Sequence, residues 1–347
     1  MKVSGLLKGQ FPGYLAFVRV SYPTRKDVLQ QFQFQFLANP LLEDPSRPNI
    51  LVATHENEQL VGQIGLNPCE YFLQGKRSTC YYCSEYFVAE EFRTTGAGLF
   101  LAHKALRNFR PMIAADVSAS ARSVFQGLGM NLIGSFHKFL WVRHPPAVVR
   151  SVFQKFCQSG VLQRRRRDTA EIPIPDRVVC DDAVFVKAGE AVDWVTNDPA
   201  GCLLTPGRSK AFVRWRYFEA PWPYYVYELD LGDWPLYLVA RQMEWRGLHL
   251  VALVDYRVPW ENRRKVTLIL KAAKALAKAV GADGVFTMSS HQFFDRAMAR
   301  SFFARVGKPS AIFASSEIRL PDQRVRERTA LCATMADWDI DCNYMQN

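Results

Sequence analysis

The chain of 347 residues carries 44 Lys and Arg against 33 Asp and Glu, a formal net charge of +11, with 49% hydrophobic and 22% charged residues. That much apolar material, including 24 Phe, 13 Tyr and 8 Trp, excludes a disordered chain, and the length exceeds what a single hydrophobic core usually serves, so about two globular domains are expected. The apolar stretch near Met1 to Lys8 is too short for a signal peptide, no run approaches the roughly 20 apolar residues of a membrane span, and irregularly spaced cysteines do not make a disulfide framework. The expectation is a cytoplasmic chain with reduced thiols. Its basic balance could steer nucleic acid, anionic lipid or a phosphate-bearing cofactor, and by itself selects none of them.

In chain order, the pattern predicts a strand at Tyr14 to Val20 and a helix from Thr24 to Leu37, whose Thr24 and Asp27 suit a helix start. Strands at Ile50 to Thr54 and Leu60 to Leu66 flank the polar turn His55 to Gln59, as in an antiparallel pair, and a long strand follows at Thr79 to Val88. A glycine-containing loop leads into a periodic helix, Ala97 to Phe109, in which Leu99, Leu101 or Ala102, Ala105 and Leu106 share a face. Pro111 stops it, and a strand (Met112 to Val117), a helix (Ser120 to Leu128, ended by Gly129) and a strand (Leu132 to Val142) complete the first unit.

From His144 to Ala183 the composition shifts: Pro145-Pro146 opens a short helix, Gly160 closes it, and Arg164-Arg165-Arg166-Arg167 with Pro173 and Pro175 read as a connector. Strands follow at Tyr224 to Leu229, Leu236 to Gln242 and Leu248 to Tyr256, then a helix at Glu261 to Val280, a strand at Gly284 to Met288, a helix at Phe294 to Arg305 and a last strand near Ala311 to Ser315. The second half thus repeats the element order of the first, the sign of a tandem duplication. The expected division is 1–143, a connector 144–183, a second unit 184–320 and a tail 321–347, in a mixed α/β architecture.

Arg93-Thr94-Thr95-Gly96-Ala97-Gly98 sits between a β-rich run and the start of an amphipathic helix. Such a junction is an anion site: free N–H groups of the first helical turn converge, the helix dipole favours negative charge, and glycine lets backbone approach a phosphate without a Cβ in the way. The segment Tyr86-Phe87-Val88-Ala89-Glu90-Glu91-Phe92-Arg93-Thr94-Thr95-Gly96-Ala97-Gly98 resembles the acetyl-CoA motif of the GNAT superfamily of N-acyltransferases: Arg or Gln, two residues, Gly, any residue, then Gly or Ala. The resemblance continues through Ala121 to Met130, similar to the last helix of that family and its following Gly-Phe, and spans about residues 14 to 142.

The resemblance implies tandem GNAT-like domains, each a mixed, largely antiparallel sheet flanked by helices, with acetyl-CoA or another acyl-CoA as acyl donor. Backbone around Phe87 and Val88 would pair with the pantetheine arm, the amides from Arg93 to Gly98 would hold the pyrophosphate, and the helix carrying Phe125 would flank the thiol. Acyl transfer needs a neutral amine, oxyanion donors and a proton source for the leaving thiolate. Glu85, among Tyr81, Tyr82, Tyr86 and Phe87, is the candidate base; the alternative is a strand glutamate facing solvent or pairing with an arginine. Where the family commonly has a tyrosine acid, this chain has Phe125, so Tyr86 or another phenol replaces it, or water protonates the thiolate, or the domain binds acyl-CoA without turnover.

Cys80-Tyr81-Tyr82-Cys83 lacks a second pair at zinc spacing and, on a strand, points its thiols to opposite faces; with no helical His pair either, no metal is predicted. The four-arginine run could touch a CoA phosphate, an acyl-carrier protein, lipid headgroups or nucleic acid, but such runs in connectors are usually just solvated. Nucleic acid is not favoured, because basic residues are not interleaved with aromatics on a recognised module. Arg214-Trp215-Arg216-Tyr217, with Pro221 to Tyr225 after it, lines an acceptor pocket or packs as core with snorkelling arginines. Asp255 to Asn262, at the place of the glycine loop in the second half, has no glycine, so that half reads as a degenerate copy shaping the acceptor site or a homodimer. The reading is an N-acyltransferase acting on a small primary amine, an amino sugar among the candidates. Its alternatives are a non-catalytic acyl-CoA-binding scaffold and an aminoacyl transferase like the Fem family, which the intact glycine loop disfavours.

Overall fold

The computed structural model describes residues 1–143, 174–190, 202–229, 236–258 and 262–337, apart from positions 26, 45 and 182. The Arg164 to Arg167 run, the short helix expected after Pro145 and part of the Asp255 to Asn262 loop lie outside the described residues. The first half comprises β1 (Lys2–Gly5), α1 (Phe11–Ser21), α2 (Val28–Phe36), β2 (Ile50–Thr54), β3 (Leu60–Leu73), β4 (Lys76–Val88), α3 (Ala97–Asn108), β5 (Met112–Ala115), α4 (Ala119–Gly127) and β6 (Asn131–Val142). The second comprises β7 (Arg177–Cys180), β8 (Ala183–Lys187), β9 (Leu204–Pro206), α5 (Lys210–Val213), β10 (Tyr225–Leu229), β11 (Leu236–Trp245), β12 (Leu248–Arg257), α6 (Arg263–Ala279), β13 (Gly284–Ser289), α7 (Gln292–Arg300), β14 (Ala304–Ala314) and α8 (Asp322–Arg326).

The fourteen strands among the described residues belong to one sheet, ordered β1-β2-β3-β4-β5-β14-β6-β13-β12-β11-β10-β8-β7, with β9 paired to β3. The order is symmetric about the β14–β6 pair. On one side β3 and β4 are antiparallel and β4 and β5 parallel; on the other β11 and β12 are antiparallel and β12 and β13 parallel. Each half gives its last strand to its partner: β14 lies against β5, and β6 against β13. The repeated element order is therefore realised as a reciprocal strand exchange within one mixed sheet.

Helices cover both faces. The alternation of β2 sends Leu51 and Ala53 toward α3 and α4, and Ile50 and Val52 toward α1 and α2, the period of two that a strand covered on both sides requires. In the second half α6 and α7 pack on Val251, Leu253 and Val285. The opposite face carries a core that runs from Tyr82 and Ile113 through Phe136 and Ile312 to Phe286 and Leu250. Both halves share it, so the two units are joined by packing as well as by hydrogen bonds.

Three predicted elements need correction. Residues 14–20 are helical within α1: Tyr14 and Val18, four apart, are buried while Val20 is 82% exposed, a helical spacing that the aromatic and β-branched composition disguised. On α3 the buried stripe is Leu101, Ala102, Ala105 and Leu106, and Leu99 faces solvent. The helix expected to run to Arg305 ends at Arg300, because β14 begins at Ala304 to pair with Leu140 and is merely interrupted between Val306 and Ser310. β7 occupies residues 177–180 at the far end of the stretch expected as connector, forming the sheet edge with β8. Among the described residues no helix is long and apolar enough to cross a membrane.

Candidate functional site

Near its end β4 carries one extra residue relative to β3. Gln63 faces Phe87 and Gly65 faces Ser84, so Ile64 opposes both Glu85 and Tyr86, and Glu85 sits at φ +53°. A bulge of this kind bends the strand and re-aims its side chains. β4 pairs with β5 over Tyr81–Cys83 and Met112–Ala114; beyond Cys83 no ladder joins the two among the described residues. The β5-facing edge of Ser84 to Val88 is thus left for another extended partner.

The bulge turns Glu85 and Tyr86 to opposite sides. Glu85, its side chain 3% exposed, accepts a hydrogen bond from Arg25 at 2.6 Å, and Arg25 stacks at 3.8 Å over the ring of Tyr22. Burial raises the Tyr22 hydroxyl far above its ordinary pKa, and the Glu85 carboxylate pushes the same way. The second carboxylate oxygen of Glu85 has no hydrogen-bond partner among the described residues. The arginine pairing left open as an alternative for Glu85 is therefore present, with one oxygen remaining. Tyr86 points toward α3 and α4, its ring 5.5 Å from that of Phe125. Burial raises its phenol well above the usual value, so at neutral pH it keeps its proton.

A short turn, Glu90–Thr95, leads from β4 to α3, with its acidic pair in the first turn and Arg93 in the last. Arg93 donates to the carbonyl of Val88 at 3.3 Å and is exposed, as are Thr94 and Thr95; the Thr95 hydroxyl donates to the carbonyl of Phe92 at 2.8 Å. Gly96 adopts φ +82°, a left-handed conformation that L side chains resist, and starts α3 with no side chain capping it. A Cβ on Gly98 would lie 2.7 Å from the Tyr86 hydroxyl, so glycine there is what lets the phenol reach the helix start. Ala97 is buried, Val88 and Phe87 are half-buried, and the Phe87 ring packs at 5.4 Å from Tyr22. The structure brings the helix start, the split strand and the two side chains of the bulge together at one end of β4. Phe125 is fully buried and presents no polar atom there.

The second half repeats the bulge, with Val254 the extra residue of β12 opposite Val239 and Ala240, but seals it at the neighbouring Asp255. Asp255 accepts from Arg208 at 2.7 and 3.1 Å, from the Tyr217 hydroxyl at 2.6 Å and from the Thr334 hydroxyl at 2.8 Å, and Arg208 also ion-pairs with Asp337. Thr334 and Asp337 belong to a segment, Ala330 to Asp337, that runs beside the ends of β12 and β13. There the Ala333 amide donates to Ser290 at 2.7 Å, and Met335 and Ala336 are buried. Where the first half leaves β4 and β5 parted, the second fills the corresponding split with the chain's own residues.

Of the aromatic and basic cluster, Arg214 is exposed and bonds Glu219 at 2.7 Å. Trp215 stacks on Phe34 at 4.9 Å and donates to its carbonyl, Arg216 bonds the Tyr224 hydroxyl at 2.5 Å, and Tyr217 holds Asp255. These three are buried and serve the joint between α2, β12 and the chain's last described segment. Cys80 and Cys83 do face opposite cores, and Cys80 lies 3.2 Å from Cys69 across the β3–β4 ladder. Among the described residues no group of three potential ligands could hold a metal ion. Sequence reasoning missed Arg25, Arg208 and Asp337. Each lies far along the chain from its carboxylate or arginine partner, and no local spacing announces such a pair.

No protein-family model matches the sequence, and no curated protein shows significant sequence similarity to it. Solved structures do match. A GCN5-related N-acetyltransferase from Anabaena variabilis aligns at 11% identity with a TM-score of 0.56, over 90% of this chain and 72% of that one. The N-myristoyltransferase of Saccharomyces cerevisiae, solved with bound myristoyl-CoA, aligns at 12% identity with a TM-score of 0.57, over 90% of this chain and 78% of that one. A GCN5-related N-acetyltransferase from Kribbella flavida aligns at 12% identity with a TM-score of 0.53, over 90% and 70% of the two chains. The chain therefore has the fold of the GNAT N-acyltransferases along nearly its whole length.

Proposed function

We propose that this protein transfers an acyl group from acyl-CoA to a primary amine, and that the donor, acetyl-CoA or a short-chain homologue, binds in the first half. The observation that carries the reading is the split between β4 and β5 beside an uncapped helix start shaped by Gly96 and Gly98. An extended amide-bearing arm can pair with the free edge of Phe87 and Val88, while the amides from Arg93 to Gly98 offer a cradle for the pyrophosphate. The two units, 1–143 and 184–320 with the strand exchange between them, then divide the labour: one binds the donor, the other braces it.

In the reaction the amine nitrogen attacks the thioester carbon, the C–N bond forms, and the C–S bond breaks to release CoA as thiol and the acyl group as amide. Glu85 takes a proton from the bound ammonium, directly or through a water at its unpartnered oxygen, to leave the neutral amine that attacks; the proton the nitrogen sheds as the amide forms restores the Tyr86 phenol once it has protonated the thiolate. Tyr86, held protonated by burial on the opposite side of β4, donates to the departing thiolate, the task a tyrosine on the α4 helix would otherwise perform. The general test is release of CoA thiol from acetyl-CoA in the presence of a panel of amines, amino sugars included. Donor binding without thiol release from any of them would favour the second reading, a non-catalytic acyl-CoA-binding protein, which rests on the buried Phe125 and the absence of a phenol on α4.

Glu85→Gln is expected to lower kcat at neutral pH by about two orders of magnitude, the usual worth of a positioned general base, with CoA affinity unchanged. The deficit should shrink as pH rises and free amine accumulates. A variant that keeps the pH–rate profile of the parent removes Glu85 from proton transfer and leaves it as the partner of Arg25.

A further inference from the structure

A second opening lies on the same end of the sheet as the candidate donor site. Asp116 follows β5, two residues past the last β4–β5 pair at Ala114, and β14 and β6 continue to that level through Ser310, Val306 and Lys138. Here the interruption of β14 between Val306 and Ser310, the first turn of α4 and the β11–β12 turn enclose a cleft of about 340 Å³. In a fully paired sheet β4 and the β14 wall of this cleft would lie two strand spacings, about 10 Å, apart, and the parting of β4 from β5 widens that separation. One molecule that spans the bulge of β4 and the cleft would have to be an elongated amine of at least that length.

The lining is strongly biased in charge. Arg122, Lys138, Arg246 and Lys308 face the cleft against a single carboxylate, Asp116. Arg122, Arg246 and Lys308 are exposed, whereas Lys138 is only 15% exposed and lies 3.5 Å from Asp116. Trp245 forms a rigid wall: it is wedged against Phe286 at 5.3 Å, and the Arg246 guanidinium stacks on it at 4.7 Å. Clustered cations over a low-dielectric wall make a field that retains anions, and a stacked guanidinium is pre-oriented to bind a carboxylate or phosphate.

We propose that this cleft binds an anionic group, carboxylate or phosphate, on the amine acceptor, so that the natural acceptor is an amine bearing a negative charge on the order of 10 Å or more from its nitrogen. The inference rests on the acyl-transfer reading for what the bound molecule undergoes, and on the cleft alone for what it binds. Three series serve as probes: ω-aminocarboxylates of increasing length, ω-aminoalkyl phosphates, and n-alkylamines of the same lengths. With acetyl-CoA as donor, the charged series should show KM values about tenfold below the neutral one at the matching length, an advantage that fades with added salt. The Arg246→Glu/Lys308→Glu protein should bring the ratio of the two KM values close to one. Whether the carboxylates or the phosphates gain more separates the two sources of charge.

Should no amine turn over, quenching of Trp245 fluorescence, isolated by difference against Trp245→Phe, reads binding directly. Saturable quenching by the charged probes that the double variant loses supports the cleft, even though acyl transfer itself would then be refuted. Equal KM values for charged and neutral amines, or a ratio unchanged in the double variant, overturn the proposal. So does the absence of quenching where turnover is also absent.

Discussion

Gly96→Glu is expected to weaken CoA binding by about two orders of magnitude while leaving the fold intact. The substitution sets a carboxylate at the helix start where the pyrophosphate would sit, at a position already holding φ +82°. A Cβ there meets only the Phe100 ring at 3.5 Å, an ordinary contact, so the cost to the fold is the left-handed backbone alone, about 1–2 kcal/mol. Calorimetric titration reads both parts of the expectation. The parent should bind one CoA per chain, because the second half offers neither a glycine loop nor an open split: Ala330 to Asp337 fills it. Two equivalent sites per chain, or a Gly96→Glu protein that binds like the parent, would defeat the assignment of the donor to the first half.

The geometry of the loop proposed to hold the donor was legible because its signal is local. Arg93 to Gly98 lie within six consecutive positions, and a strand followed by glycines and a periodic helix writes the geometry directly into the order of residues. The repeated element order was legible for the same reason. The exchange of β6 and β14 was not, since which strand pairs with which is set by contacts such as Ala304 with Leu140, more than 150 residues apart. β14 itself was half hidden: the residue pattern predicts it only from Ala311, whereas it starts at Ala304 and shifts register across Gly307, at φ +69°, and Pro309. α1 failed for another reason. Seven residues rich in Tyr, Phe and Val favour a strand by propensity, and only burial of Tyr14 and Val18 against Phe32 and Phe36 shows that packing overrode it.

The sealing of the second half has a measurable consequence. Arg208 and Asp255 are wholly buried, and with Asp337 they form a charge cluster that water cannot screen. Burial alone would raise the Asp255 carboxyl, but the Arg208 guanidinium, supported by Arg257, holds it well below the usual carboxylate range; Asp337 is instead raised by burial. Removing the cation strands two buried carboxylates, so Arg208→Ala should cost about 3–5 kcal/mol, the range for breaking a buried ion pair. The pH dependence fixes the cause. A carboxyl depressed in the folded state stabilises above its unfolded pKa, about 4, and that contribution is lost as pH falls. In the parent, acidification should therefore remove stability through Asp255. In Arg208→Ala only Arg257 still opposes the effect of burial on the two carboxyls, so both should rise and taking up protons relieves the stranded charge. The gap in unfolding free energy between the two proteins should be widest near neutral pH and should narrow as pH is lowered toward 4. Chemical denaturation at several pH values measures it. A gap that stays constant with pH would mean that Arg208 acts through packing against Phe212, and that the cluster does not hold the second half closed by charge.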